Sequence, residues 1–276
     1  MTNIFTVDLE DWFHICGVRT LSREKWTALP SRVVDTTRWL LDTLDATGVR
    51  ATFFVLGWIA DAHPQLVAAI RSAGHDIGSH GHEHLRAYDL TKDAFVADLQ
   101  RSVSALHRAG ARDVTAFRAP EWSINARSLW ALDSLTDEGF TTDASMAPVK
   151  IVGSPSFPRH PHVRQTMSGP IMELPPLVVD RLGQVMPLGW GWGLRMSSPR
   201  SVLRRIEEVN RAGSPAVLAV HPWEFDVDPP RVTLPASLQF AHYFRLAGFR
   251  DRLRAILAGA AFGPVSSFAH HSARGQ

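Results

Sequence analysis

The chain predicts an α/β fold in which parallel strands alternate with helices, an arrangement whose closed form is a barrel. Three observations point there. Short apolar runs alternate with longer amphipathic stretches along most of the 276 residues, the pattern of strand–helix units joined by right-handed crossovers. The length suits one α/β barrel, which commonly runs to about 250 residues. Asp8, His80, Arg118 and His221 each stand at or just past the end of an expected strand, and such barrels carry function at the C-terminal ends of their strands.

Taken in order, Ile4 to Val7 reads as the first strand. Val33 to Ala46 is amphipathic and stops before Gly48, a suitable helix terminator. Ala51 to Leu56 is a buried strand, Ile59 to Ala73 a helix ended by Gly74, and His75 to Ser79 a short strand. Thr91 to Ala109 is a helix with Thr91 as N-cap and Gly110 as stop. Val114 to Arg118 is a strand, Asn125 to Glu138 a helix, and Phe140 to Asp143 begins another strand. Ser198 to Ala212 is helical, Ala216 to Val220 a late buried strand, and Ala236 to Leu257 a final helical region. Ala269 to Gln276 reads as a polar tail. Between Met146 and Pro199 nine prolines break the alternation, around a Gly-Trp-Gly-Trp-Gly run at 189–193. That segment reads as an irregular insertion, either over or beside the catalytic face or on the far side of the molecule.

Composition narrows the function. Hydrophobic residues make up 45% and charged residues 20%, enough for a sizeable core. The net charge is +2 and no basic run stands out, so nucleic acid is not an expected partner. Cys16 is the only cysteine, which excludes an intrachain disulfide and fits a reducing compartment. Neither a signal peptide nor an apolar run of about 20 residues is visible, so a cytoplasmic protein without a transmembrane segment is expected.

Four motifs carry chemistry. Asp8, Glu10 and Asp11 crowd three carboxylates onto a strand end, a repulsion that a cation would relieve. In an extended chain Asp8 and Glu10 share a face and Asp11 takes the other. His80-Gly81-His82-Glu83-His84 offers two imidazoles four residues apart, which a helical turn would bring to one side, with His82 pointing away. Arg118, after a strand, can hold a carboxylate through two parallel hydrogen bonds. His221 ends an apolar strand beside Pro222 and Trp223. Read singly, each motif is equally a polar turn, a surface ion pair or a core histidine.

In this order the motifs resemble the polysaccharide deacetylases of carbohydrate esterase family 4, the NodB-homology domain, over roughly residues 4 to 225. Asp8-Leu9-Glu10-Asp11 takes the place of the family's aspartate pair and His80 to His84 matches its two-histidine motif. Arg118-Ala119-Pro120 matches Arg-x-Pro, and Leu218-Ala219-Val220-His221 matches Leu-x-x-His. The opening Val-Asp-x-Glu-Asp-Trp-Phe-His, with Phe-Arg-Ala-Pro and His-Pro-Trp-Glu later, is similar to a branch associated with bacterial exopolysaccharide clusters, which carries an extra C-terminal region. The family places its metal carboxylate directly after the base. Leu9 stands there in this chain, so Glu10 is assigned as ligand with Asp11 as the alternative. The family's aspartate-tryptophan element is not recognisable, and Asp143 is its nearest candidate.

The resemblance implies a distorted, incomplete (β/α) barrel in a single catalytic domain over 1–276, with an insertion at about 146–199 and a C-terminal helical extension at 236–262. It implies one divalent metal, most often zinc, held by Glu10, His80 and His84. Asp8 would be the general base, oriented by Arg118, and His221 the general acid. Leu218 and Trp223 would wall the acetyl methyl, and Trp122, Trp190 or Trp192 would stack on sugars or pack in the core. The implied reaction is N-deacetylation of an amino sugar in a polysaccharide or its lipid-linked precursor, with O-deacetylation a small variation. A hydrolase of small cyclic or linear amides and a non-catalytic carbohydrate-binding protein are the alternatives on the same fold.

Overall fold

A computed structural model describes residues 1–272. Eleven strands appear among them: β1 (Asn3–Leu9), β2 (Thr52–Val55), β3 (Asp76–Ser79), β4 (Ala116–Phe117), β5 (Thr142–Asp143), β6 (His162–Thr166), β7 (Gly169–Glu173), β8 (Val178–Arg181), β9 (Gln184–Pro187), β10 (Val217–Val220) and β11 (Phe262–Gly263). The main sheet runs β10-β1-β2-β3-β4-β5-β7-β6, with β11 also paired to β1. All its pairs are parallel except the β6–β7 hairpin, and β8–β9 forms a separate antiparallel hairpin.

The sheet curls into a half-barrel because β10 and β7 never pair directly. The gap is crossed by the chain leaving β7, whose Leu177 N–H donates to the Val217 carbonyl, while the Ala219 N–H donates to Gly189. The insertion therefore closes the barrel wall beside β10 and does not sit on the far side.

Alternation along β1 sets the two faces. Phe5, Val7 and Leu9 join Leu40, Leu44, Leu218 and Val220 in the core between sheet and helices. Thr6 and Asp8 turn inward to Arg118. The helices are α1 (Val33–Ala46), α2 (Gly57–Ala62), α3 (Pro64–Ser72), α4 (Lys92–Arg108), α5 (Trp130–Asp137), α6 (Gly191–Met196), α7 (Pro199–Arg211), α8 (Ala236–Tyr243), α9 (Phe249–Gly259) and α10 (Val265–Ser272). Thr91 and Ser198 accept backbone N–H groups as N-caps of α4 and α7, each cap contributing about 1 kcal/mol. Among the described residues no helix is long and apolar enough to cross a membrane.

Four expected elements come out differently. The helix expected over 59–73 divides at Pro64, which starts α3. The one expected from Asn125 begins only at Trp130. Asn125 accepts from the Arg127 N–H and Ser128 from the Asn125 N–H, side-chain bonds that compete with a helical ladder. The final helical region splits into α8 and α9, with Arg245 and Gly248 at positive φ between them. The polar tail is helical to Ser272, and the rest of it lies outside the described residues.

Beneath the catalytic end lies a buried acid pair. Asp143 and Glu173 face each other across β5 and β7, both fully buried. Asp143 accepts from Ser145 Oγ at 2.5 Å, Ser145 Oγ accepts from the Ala119 N–H at 2.7 Å, and Glu173 accepts from the Met146 N–H at 3.0 Å. The pair thus anchors the residue next to Arg118. Burial, and after it the charge of Asp143, hold the Glu173 carboxyl well above its ordinary pKa. A raised folded pKa contributes stability that is present at low pH and is lost as pH climbs through that value. The native chain should therefore lose Tm as pH rises above the ordinary carboxylate range, and Glu173→Gln should flatten that fall. An unchanged slope in thermal melts across pH would exclude the pair as its source.

Candidate active site

Arg118 follows β4 and is wholly buried inside the barrel. Its Nη1 donates to Asp8 Oδ1 and Thr6 Oγ1, both at 2.7 Å, and its Nε donates to the Ala144 carbonyl at 3.0 Å. Phe54 and Trp122 cover its two faces at 4.4 and 4.3 Å. The expected pair of parallel bonds to one carboxylate does not form. Only Nη1 reaches Asp8, while Nη2 has no hydrogen-bond partner and Asp8 Oδ2 is left facing His221.

Glu10, His80 and His84 converge at the ends of β1 and β3, all buried, with one ligand atom from each lying within 4.8 Å of the others. Glu10 Oε2 is 2.8 Å from His84 Nε2. His80 Nδ1 donates to the Arg118 carbonyl at 2.7 Å, which leaves Nε2 as the lone-pair nitrogen. Burial raises the Glu10 carboxyl, but the charges of His84 and His221 outweigh it and hold it below the usual carboxylate range. Burial lowers His80 to about 4, keeping it neutral. Burial opposes a charge on His84, but Cys16 and Glu10 hold its imidazole well above the ordinary value, so a zinc-like cation would have to displace that proton before two imidazoles and a carboxylate could hold it, with coordination positions left open.

No helical turn unites the histidines. Residues 80–84 form a loop with Gly81 at φ 74° and His84 at φ 53°. Asp98 on α4 clamps it by accepting the N–H groups of His82 at 2.7 Å and Glu83 at 3.1 Å. A Cβ at Gly81 would lie 2.9 Å from that carboxylate. The Cys16 thiol donates to the His84 carbonyl at 3.1 Å and touches His84 Nδ1 at 3.3 Å. His82 packs toward Gly57, outside the cluster. Asp11 is engaged elsewhere. It accepts from Ser31 Oγ and from the N–H groups of Arg32 and Val33, capping the start of α1.

His221 follows β10. Its Nε2 is 3.2 Å from Glu10 Oε1 and 3.8 Å from Asp8 Oδ2. Its Nδ1 meets Glu224 Oε2 at 3.0 Å, and Glu224 Oε1 pairs with buried Arg195 of α6 at 2.9 Å. Burial opposes the charged imidazole, but Glu10, Glu224 and Asp8 raise it to about 9. A Cβ at Gly191 would fall 2.0 Å from Glu224 Oε1, so only glycine lets the carboxylate in. Sequence reasoning missed Glu224, Arg195, Asp98 and Cys16. Glu224 alone had a usable signal, standing three residues after His221 on the same turn. Asp143, the weak candidate for the missing aspartate element, is tied to Ser145 and Glu173.

The expected substrate contacts divide. Trp223 stacks on His221 at 5.3 Å and on His242 at 4.1 Å, half-buried at the site. Trp122 is buried between Arg118 and Trp190 and forms a wall. Leu218 does not reach the site. Strand alternation turns it into the outer core with Phe5, while Ala219 and His221 point inward.

Residues 28–138 match the family model described as Polysaccharide deacetylase, and residues 144–270 match a Domain of unknown function, DUF3473. His80, His84 and Arg118 lie in the first stretch, and Arg195, His221 and Glu224 in the second. Over 116 residues the chain is 26% identical to a peptidoglycan-N-acetylglucosamine deacetylase of Bacillus cereus, 38% of this chain and 42% of that protein. Over 111 residues it is 30% identical to chitin deacetylase 1 of Saccharomyces cerevisiae, 34% and 37% respectively. The matches thus span about two fifths of these curated relatives.

Among solved structures, a Mycobacterium smegmatis protein provisionally named a polysaccharide deacetylase superposes with a TM-score of 0.62 at 20% identity, covering 99% of this chain and 92% of that one. The Xyl-CE4 domain of a multidomain xylanase from the Trinervitermes trinervoides hindgut metagenome gives 0.50 at 14%, covering 99% and 92%. At these identities the likeness is one of fold. A curled half-barrel and the matched deacetylase stretch agree: over residues 28–138 the chain is similar to the polysaccharide deacetylases, it shares their fold, and residues 144–270 carry the DUF3473 region.

Proposed function

We propose that this protein is a metal-dependent hydrolase that removes N-acetyl groups from amino sugars of a polysaccharide or its precursor. The observation that carries the reading is one inner face on which the ligand atoms of Glu10, His80 and His84 lie within 4.8 Å of one another and His221 stands 3.2 Å from Glu10 and 3.8 Å from Asp8. A divalent cation held by Glu10, His80 and His84 would supply the positive charge that polarises the acetyl carbonyl and acidifies water.

The chain's own groups do the proton work. Arg118 fixes Asp8 through Oδ1, so the free Oδ2 accepts a proton from the water that attacks the carbonyl carbon. His221 carries its proton on Nε2, because Glu224 occupies Nδ1, and delivers it to the departing nitrogen. Acetate and the free amine leave. An amine departs poorly unless protonated, which is why a positioned acid is required. The two matched regions are read here as one catalytic unit, since the base and cluster come from one side of residue 138 and the acid with its partners from the other.

Three outcomes test this. Chelation should abolish acetate release from acetylated glycans, and added divalent metal should restore it; activity indifferent to chelation would remove the metal from the reading. Asp8→Asn should cut turnover by about 10²–10⁴ with metal content unchanged by elemental analysis. Loss of metal in that variant would make Asp8 a ligand instead of the base. Glu224→Gln should slow amide cleavage more than cleavage of an activated aryl acetate, whose leaving group needs no proton. Equal losses on both substrates would count against an acid at His221.

A further inference from the structure

A hollow of about 530 Å³ lies on the outer rim of the barrel, within the size range of ligand sites. Topology places it at the same end as the candidate active site. Phe225 and Asp226 line it directly after the Pro222–Phe225 turn that carries Trp223 and Glu224. Its other side is the start of α9, which leads to β11, and β11 pairs in parallel with Asn3 and Ile4 where β1 begins. The first turn of α9 therefore stands at the level where the strands end.

Four arginines line the hollow, Arg231, Arg245, Arg250 and Arg254, against two carboxylates, Asp226 and Asp251. Both carboxylates are already engaged. Asp226 accepts from Arg32 Nε at 2.8 Å and Nη2 at 3.0 Å, and Asp251 pairs with Arg254 at 3.2 Å. Among the described residues no carboxylate stands at ion-pair distance from the other three arginines. Arg231 lies over the Tyr243 ring at 4.4 Å, and Arg245 donates to the Met196 carbonyl at 3.4 Å. Arg250 donates to the Phe225 carbonyl at 2.9 Å and covers Trp39 at 4.6 Å. Burial, and after it the charge of Arg254, lower the Arg250 pKa from its ordinary value, as a half-buried cation among like charges requires.

We propose that this hollow binds a diphosphate group, of the kind borne by activated and carrier-linked sugars. It rests on the deacetylase reading only in the choice of source: a sugar still joined to its diphosphate is a precursor and not a finished polymer. The unpaired charges come from three segments, the loop after Asp226, the turn after α8, and α9 itself, and they surround one concave space. A nucleic acid asks instead for a basic track along its backbone, and a membrane for basic residues on an open face. A compact anion with many oxygens asks for donors from several sides, and each guanidinium fork matches phosphate oxygens two at a time. A single carboxylate would answer one of the unpaired cations, while two joined phosphates answer more. The N–H groups that open α9, where Gly248 at φ 74° leaves no capping side chain, add to the same field.

The test is calorimetry on the metal-free chain, in which no cation at Glu10, His80 and His84 can capture the probe. Pyrophosphate is the probe, with sulfate and acetate as controls. UDP-N-acetylglucosamine and farnesyl diphosphate then distinguish a nucleotide from a lipid source. Arg231→Gln and Arg245→Gln alter exposed side chains of the hollow, and Arg112→Gln removes the same charge at the opposite end of the barrel; thermal melts would check that all three fold. Pyrophosphate should saturate one site more tightly than sulfate, and each hollow variant should weaken it by about tenfold, with Arg112→Gln unchanged. The same loss for whichever sugar or lipid diphosphate binds more tightly would support the assignment and name its source. No saturable pyrophosphate binding, or an equal loss in Arg112→Gln, would overturn it. So would phosphatidylglycerol vesicles that bind through Arg245 and are not displaced by pyrophosphate. Pyrophosphate binding that the variants weaken, in a metal-loaded protein that releases no acetate from any acetylated glycan or sugar diphosphate, would uphold the hollow and sink the deacetylase reading.

Discussion

The buried guanidinium of Arg118 is the constraint on which the catalytic face depends. A charge with no exposure is tolerated only when paired and hydrogen-bonded, and removing one partner of such a pair costs about 3–5 kcal/mol. The surroundings meet that demand at Nε and Nη1, while Nη2 is left without a hydrogen-bond partner. Asp8 and Thr6 come from β1, the Ala144 carbonyl from the end of β5, and the ring faces from Phe54 and Trp122. Satisfying Arg118 thus ties three strand ends together. It also selects which Asp8 oxygen is free. Through its own carbonyl, Arg118 fixes the His80 tautomer, so the orientations of Asp8 and of His80 are set by one residue.

The support continues outward in layers. Ala119, next to Arg118, is held through Ser145 by the Asp143–Glu173 pair. On the opposite side of the barrel, His221 is oriented by Glu224, which is held by Arg195, whose other donors reach the carbonyls of Ala241 and Phe244. Those carbonyls belong to the end of α8. The late helices therefore bear on His221 through two buried charges, and the segment after Met146 is built into the site.

Much of this was legible in the residues because strand–helix alternation and strand-end chemistry are local signals. The parallel strands, the α1, α4 and α7 boundaries, and the positions of Asp8, His80, Arg118 and His221 at strand ends could be read from periodicity, caps and stops. What could not be read depended on distant partners. Nothing local shows that Asp98, on α4, clamps the histidine loop, or that Asp143 would spend its carboxyl on Glu173. Leu218 misled because its motif neighbour His221 faces the candidate site, yet an odd spacing along a strand places the two side chains on opposite faces. That error was avoidable from the period of two alone.

The same period explains the departure at Leu9. In an extended strand, adjacent residues point to opposite faces, so a base and a metal carboxylate placed side by side would need a bent backbone to converge. Here β1 runs through Leu9, and Asp8 and Glu10 are two residues apart on the inner face. Leu9 is fully buried in the outer core, which locks the register. Asp11, one step further, is released to cap α1. A slip of one residue would turn Asp8 and Glu10 into the apolar layer of Leu40 and Leu44 and deliver Leu9 to Arg118. Burial of one leucine thus chooses Glu10 over Asp11.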